Sequence, residues 1–194
     1  MQVIAITGSI GCGKTTLAGL VRELGYPVYD VDKWCRHLYF EEQFLQKINK
    51  YFPLAFSDGK FNKRVLRNLV FSQPDELKKL ENLTHPFLKK KFLNTIHKHA
   101  KSSDLIFIDV AILFEMGWDK YCTYIIVADT DYETQKNRVM NRDGISSSDF
   151  EKIIKVQMDN KAKKIMADAV IETNKPLGIL KAELLNIING FEEW

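Results

Sequence analysis

The chain has 194 residues, 45% of them hydrophobic and 27% charged, with a formal net charge of +3. This is the composition of an ordinary globular domain, and it excludes a disordered or collagenous chain; no apolar run approaches the roughly 20 residues that a bilayer span needs. The charge suits a protein that handles small anions and is too weak to argue for nucleic acid.

Cys12, Cys35 and Cys122 form no CxxC pair and are odd in number. That favours a reduced compartment over a disulfide framework or zinc site. The N-terminus enters an apolar strand almost at once, which leaves no room for a signal peptide. A cytoplasmic protein is therefore expected, with no membrane or nucleic-acid partner, as a monomer or weak homo-oligomer.

Val3-Ile4-Ala5-Ile6 is short, apolar and β-rich, as a buried parallel strand should be. Directly after it, Gly8-Ser9-Ile10-Gly11-Cys12-Gly13-Lys14-Thr15 fits G-x-x-x-x-G-K-[ST], the phosphate-binding loop. Leu17, Leu20, Val21 and Leu24 then fall on one face of a helix. Glycines let the backbone N–H groups turn inward, and the helix N-terminus adds unpaired donors and a partial positive charge. In such a loop Lys14 reaches the β- and γ-phosphates and the Thr15 hydroxyl sits on Mg²⁺. The nucleotide-binding set is thus Gly8, Ser9, Ile10, Gly11, Cys12, Gly13, Lys14, Thr15 and Thr16. Cys12 stands near a helix N-terminus, which lowers a thiol's pKa, so the loop is expected to be sensitive to oxidation.

Gly25 and Pro27 end the first helix. Val28 to Asp32 reads as a second strand with carboxylates at its C-terminal end, where open parallel sheets bind ligands. Between about residues 33 and 101 helical patterns take over. Phe44, Leu45, Ile48 and Phe52 form one stripe, and Val65, Leu66, Leu69 and Val70 another, with Asn62 as a cap. Ser57-Asp58-Gly59-Lys60 marks a turn, Pro74 starts a further helix, and His85-Pro86 is expected to break it. Lys89-Lys90-Lys91 reads as a solvated helix face rather than a phosphate site.

Leu105-Ile106-Phe107-Ile108-Asp109 is an apolar run ending in a carboxylate, the shape of a second nucleotide-binding signature in which Asp109 supports the metal directly or through water. Tyr124 to Ala128 is the next strand and Ala169-Val170-Ile171 the last. Between them, Thr130-Asp131-Tyr132-Glu133 has a capping-box pattern and opens a helix carrying Gln135, Arg138 and Arg142. Asp143-Gly144 breaks it, and Ser146 caps a following helix that carries Gln157, Lys161 and Lys163. Two helices joined by a glycine, with arginines at the joint, predict a hinged lid whose guanidinium forks stabilise a transferring phosphoryl group.

Strands separated by helical segments predict a three-layer α/β/α fold with a parallel sheet of about five strands. The core is expected at 1–32, 102–131 and 166–194, a helical acceptor-binding insertion at about 33–101, and a lid at about 132–165. The loop alone leaves a GTPase, a mechanical ATPase and a small-molecule kinase open. Asn174-Lys175-Pro176-Leu177 lacks the Asp of the guanine site N-K-x-D, and the chain is short for a motor. A kinase needs an acceptor pocket, a base and a water-excluding lid, which the insertion, Asp32 and the Arg138/Arg142 segment supply.

Together these residues resemble the dephospho-CoA kinase family, over nearly the whole chain to about Asn174. Ile6 to Thr15 is similar to the family's T-G-G-I-G-S-G-K-S, and Asp30-Val31-Asp32 stands at its D-A-D. Arg64, Leu66 and Phe71 fit R-x-L…F, His85-Pro86 fits H-P, and Leu113-Phe114-Glu115 fits the end of P-L-L-F-E. Gln135 to Arg142 fits Q-x-x-R-x-x-x-R, and Gln157, Lys163, Ala167-Asp168, Val170-Ile171 and Asn174 fit the closing Q…K…A-D-x-V-I…N. Ser9, Cys12, Val31 and Ala111 depart from the pattern at a glycine, a serine, an alanine and a proline. The resemblance implies transfer of the ATP γ-phosphoryl to the ribose 3′-hydroxyl of dephospho-CoA, the last step of CoA synthesis. It implies Asp32 as base or orienting group, with Lys14, Arg138 and Arg142 acting on the transferring group. It further implies Arg64, His85, Leu113, Glu115, Gln157 and Lys163 at the acceptor, Asn174 and Lys175 bordering adenine, and ATP and Mg²⁺ as the ligands.

Overall fold

The computed structural model describes residues 1–101 and 105–192. Two compact units divide the chain, one of Met1–Asp30 with His99–Trp194, the other of Val31–Lys98. In chain order the elements are β1 (Gln2–Thr7), α1 (Lys14–Glu23), β2 (Val28–Asp30), α2 (Val31–Leu38), α3 (Glu42–Tyr51), β3 (Phe56–Ser57), β4 (Lys60–Phe61), α4 (Lys63–Ser72), α5 (Pro74–His99), β5 (Leu105–Asp109), β6 (Tyr124–Asp129), α6 (Tyr132–Asp143), α7 (Ser147–Val156), α8 (Asn160–Ile165), β7 (Ala169–Glu172) and α9 (Leu177–Glu192), with 3₁₀ turns at Pro53–Ala55 and Asp119–Tyr121.

The first unit is built on a five-stranded sheet in the order β2-β5-β1-β6-β7, every pair parallel. Side chains alternate between the faces of a strand. Ile4, Ile6, Phe107 and Ile126 belong to one cluster with Leu17, Leu20 and Val21 of α1 and Leu180, Leu184 and Ile188 of α9. Ala5, Ile106, Ile108 and Val127 alternate with them and are buried too. Burial on both faces is the reason the strands are continuous apolar runs. Parallel register brings the carboxyl ends together: Asp109 lies opposite both Ile6 and Asp30, and Asp129 opposite Glu172. One edge of the sheet therefore carries four carboxylates around the loop that follows β1.

Three local expectations change here. The second strand is shorter than predicted, ending at Asp30; Val31 is buried and Asp32 lies in the first turn of α2, where a carboxylate complements the helix dipole. The cap of α6 is Asp131, one residue later than the capping-box pattern suggests, and its side chain accepts the Thr134 N–H at 2.9 Å. The helix expected to carry Gln157, Lys161 and Lys163 is two helices: α7 stops at Val156, and Asp159 caps α8 through the Lys161 N–H.

The second unit is helical and built from consecutive elements. Its buried apolar residues include Trp34, Leu38, Phe44, Ile48, Phe52, Leu66, Val70, Leu88 and Phe92. Asp58 and Gly59 both take positive φ, 51° and 73°, and close β3 on β4 as a two-residue hairpin. Asn62 caps α4 as expected, accepting from the Arg64 and Val65 N–H groups. The break expected at His85-Pro86 is absent, and α5 runs through Pro86. A helical proline costs one hydrogen bond and a ring clash; burial of Leu88 and Phe92 beyond it holds the next turns in line. Residues 31–98 hold fourteen Lys and Arg against seven Asp and Glu, a formal +7, which leaves −4 for the rest of the +3 chain.

Candidate active site

The phosphate loop joins the centre of the sheet to α1, and its shape depends on two glycines with positive φ. At Gly11, φ 78°, a Cβ would lie 2.6 Å from Val139 Cγ2 and 2.7 Å from the Gln135 carbonyl oxygen; at Gly13, φ 89°, it would lie 2.6 Å from Thr173 Oγ1. Gly13 is also the N-cap of α1. No side-chain oxygen caps this end of the helix, where backbone N–H groups and the positive end of the dipole favour an anion.

Gly11, Gly13, Lys14, Thr15, Thr16, Arg138 and Arg142 line a cavity of about 350 Å³ at this helix start. The structure brings together here four of the residues singled out for chemistry: Lys14, Thr15, Arg138 and Arg142. The Lys14 ammonium donates to the Gly8 and Ser9 carbonyl oxygens at 2.8 and 3.3 Å. Arg138 donates from Nη1 to Thr173 Oγ1 at 2.8 Å and from Nη2 to the Thr173 carbonyl at 2.9 Å. Arg142, on the exposed side of the cavity, forks onto both oxygens of Asp143 at 2.8 and 2.7 Å. That bidentate contact holds the Asp143 carboxyl below the usual carboxylate range. Three cations and a helix N-terminus around one cavity suit a polyphosphate. Thr15 is exposed on the cavity and Asp109 closes β5 at the same sheet edge; hard oxygens of this kind fit Mg²⁺, which takes few protein ligands beside phosphate and water.

A second set of side chains holds the loop itself. Gln157 Oε1 accepts the Ile10 N–H at 2.9 Å, Asn160 Oδ1 accepts the Ser9 N–H at 3.0 Å, and Gln135 Nε2 donates to the Ile10 carbonyl at 2.6 Å. Thr173 Oγ1 donates to the Cys12 carbonyl at 2.9 Å. Asn160 also donates to Asp129, which pairs with Lys164 at 2.5 Å. The roles of Thr173, Asn160, Asp129 and Lys164 had no motif to mark them; Asp129 ends β6 and Thr173 follows β7, a strand-end signal that Asn160 and Lys164 on α8 lack.

Other predicted site residues occupy quieter positions. Leu113 is fully buried. Lys163 is fully buried as well; its ammonium meets the Ala111 carbonyl at 2.6 Å and Glu115 at 3.0 Å, and Glu115 also accepts the Met158 N–H. Lys175 pairs with Glu183 at 2.9 Å, and Asn174 is exposed at the rim of a separate cavity of about 770 Å³ beside Ser9 and Gln157. Cys12 is 1% exposed and its thiol is pushed up, chiefly by burial, which runs against the expected oxidation sensitivity. In the second unit Asp32 and Arg64 are exposed in the first turns of α2 and α4, and His85 is half-buried in α5. The Phe71 side chain lies outside the described residues.

A parallel sheet in this strand order, with a glycine loop feeding α1 and cations around its start, defines a P-loop kinase. A solved shikimate kinase from Acinetobacter baumannii shares the fold with TM-score 0.56 at 16% identity, over 98% of this chain and 94% of that one. The family profile described as dephospho-CoA kinase matches residues 2–177, and the chain belongs to that family. A dephospho-CoA kinase from Fusobacterium nucleatum is 36% identical over 91% of this chain and 92% of its own. The solved dephospho-CoA kinase from Campylobacter jejuni is 27% identical with TM-score 0.73, over 98% and 97% of the two chains.

Proposed function

We propose that the protein transfers the γ-phosphoryl group of ATP to the ribose 3′-hydroxyl of dephospho-CoA, giving CoA and ADP. The observation that carries this is the cavity at the uncapped start of α1, with Lys14, Thr15, Arg138 and Arg142 on its walls. Lys14 leaves the Gly8 and Ser9 carbonyls to reach the β- and γ-phosphates. The N–H groups of the first turn of α1 take the remaining phosphate oxygens. Thr15, with Asp109 through water, would hold Mg²⁺, which when bound neutralises charge on the β- and γ-oxygens.

The acceptor side belongs to residues 31–98, whose +7 suits an anionic acceptor. Only Val31 separates Asp32 from the last residue of β2, a span of at most about 7 Å. We assign Asp32 to the acceptor: its carboxylate orients the 3′-hydroxyl and takes its proton as the oxygen bonds to phosphorus and the bond to the β-phosphate oxygen breaks. A loose transition state asks little early deprotonation of the nucleophile, so a carboxylate suffices. Arg138 and Arg142 stabilise the charge spread over the transferring group, and α6 to α8 exclude water when they close.

The test is ADP release with ATP, Mg²⁺ and dephospho-CoA, AMP, adenosine or no acceptor. Release with dephospho-CoA alone, with product phosphorylated at the 3′ position, is the expected result. Equal turnover with another acceptor discards the substrate assignment, and nucleotide binding without acceptor-dependent release discards the catalytic one.

A further inference from the structure

Thr173 is 5% exposed and follows β7 directly, with its own N–H given to the Asp129 carbonyl at 2.8 Å. A hydroxyl has one proton and two lone pairs. Here the proton goes to the Cys12 carbonyl at 2.9 Å, so the contact with Arg138 Nη1 at 2.8 Å is one in which the hydroxyl accepts. The Thr173 carbonyl accepts from the other terminal nitrogen at 2.9 Å. Two acceptors on one residue thus grip both ends of the guanidinium fork and fix its plane. The same side chain fills the space over Gly13, its Cβ 2.7 Å from where a glycine Cβ would be. Loop carbonyl, hydroxyl and guanidinium therefore form one continuous chain of hydrogen bonds, and Arg138 lines the cavity while bound in it.

We propose that Thr173 is a positioning residue for phosphoryl transfer: its hydroxyl ties the Arg138 guanidinium to the Cys12 carbonyl of the phosphate loop, so that the arginine meets the transferring group in one orientation. The proposal rests on Arg138 acting on that group. A purely structural plug would need only the shape of threonine. Positioning needs the hydroxyl, because without it the fork loses an acceptor and the Cys12 carbonyl a donor.

The test is steady-state kinetics of Thr173→Val, which keeps the shape, and Thr173→Ser, which keeps the hydroxyl, each in the wild-type and Arg138→Ala backgrounds. Thr173→Val should lower kcat about 10-fold with ATP KM changed less than about 2-fold, and Thr173→Ser should restore kcat to within about 2-fold. In the Arg138→Ala background the valine should cost less than about 2-fold more, since the partner through which it acts is gone. An unchanged kcat for Thr173→Val, or the same loss in both backgrounds, overturns the proposal. Full turnover by Arg138→Ala alone is a different result and removes Arg138 from the proposed mechanism. Should Thr173→Val melt well below the wild type, Thr173→Ala takes its place, because it removes the hydroxyl without adding volume.

Discussion

Under the proposed function the two units would recognise anions in opposite ways. Around the phosphate loop the first unit uses position: backbone N–H groups, one lysine and two arginines at a helix start, in a unit whose net charge is −4. The second unit uses excess, a formal +7 over 68 residues, much of it on exposed helix faces. A phosphate that must react has to be held at fixed angles, which a few positioned donors achieve. A flexible anionic acceptor needs attraction over a wider area, for which diffuse charge is enough. The mild +3 of the whole chain conceals this division.

The sharpest way to break the contrast is to exchange effects across it. Asp32→Asn should lower turnover about 10²–10⁴-fold while leaving the ATP KM near its starting value, because the proposed mechanism assigns the group to the acceptor. Lys14→Ala should instead raise the ATP KM and lower turnover together, and initial-rate kinetics with both substrates varied separates the two patterns. An Asp32→Asn enzyme with near-normal turnover ends that residue's assignment.

A smaller effect is expected from the cavity of about 380 Å³ in the second unit, whose walls include Lys90, Lys91 and Lys98. Replacing the three lysines with glutamine should raise the acceptor KM several-fold at low salt, less at high salt, and spare the ATP KM. An acceptor KM that ignores both the lysines and the salt returns these side chains to the solvated face the sequence suggested.

The smallest effect concerns the thiols. Burial pushes Cys12 and Cys35 up and Cys122 to about 12, so the reactive thiolate is scarce below those values. Alkylation of the folded enzyme, followed by mass spectrometry, should be slow at pH 8 and quicken as pH rises. Rapid loss of activity with label on Cys12 contradicts the buried loop.

What was legible in the chain follows the same division. The phosphate loop with its flanking strand and helix, Asp109 at a strand end and the arginine pair on α6 stand in short local patterns, and the structure forms those elements where the patterns put them. Pro86 misled because a local breaking rule was outweighed by the burial of Leu88 and Phe92, which only the packed helix reveals. Thr130 misled because it and Asp131 are both good caps, and the choice between them depends on where β6 ends. Thr173, Asn160 and Gln157 reach the loop across more than 140 residues of chain, a distance at which no spacing rule operates.

β1 is at the centre of the sheet, yet Gln2 must wait for Leu105 and Ile4 for Tyr124 before either edge is covered. At ribosomal rates of about 5–20 residues per second, the strand that leads into the phosphate loop emerges about 5–20 s before its neighbours exist. Residues 31–98 close on near neighbours in the chain and can fold in that interval. Pulse-labelled hydrogen exchange during refolding should accordingly find α3 and α5 protected ahead of β1, and simultaneous protection would refute that order. The most chemically important loop of the enzyme would then be the last to take shape.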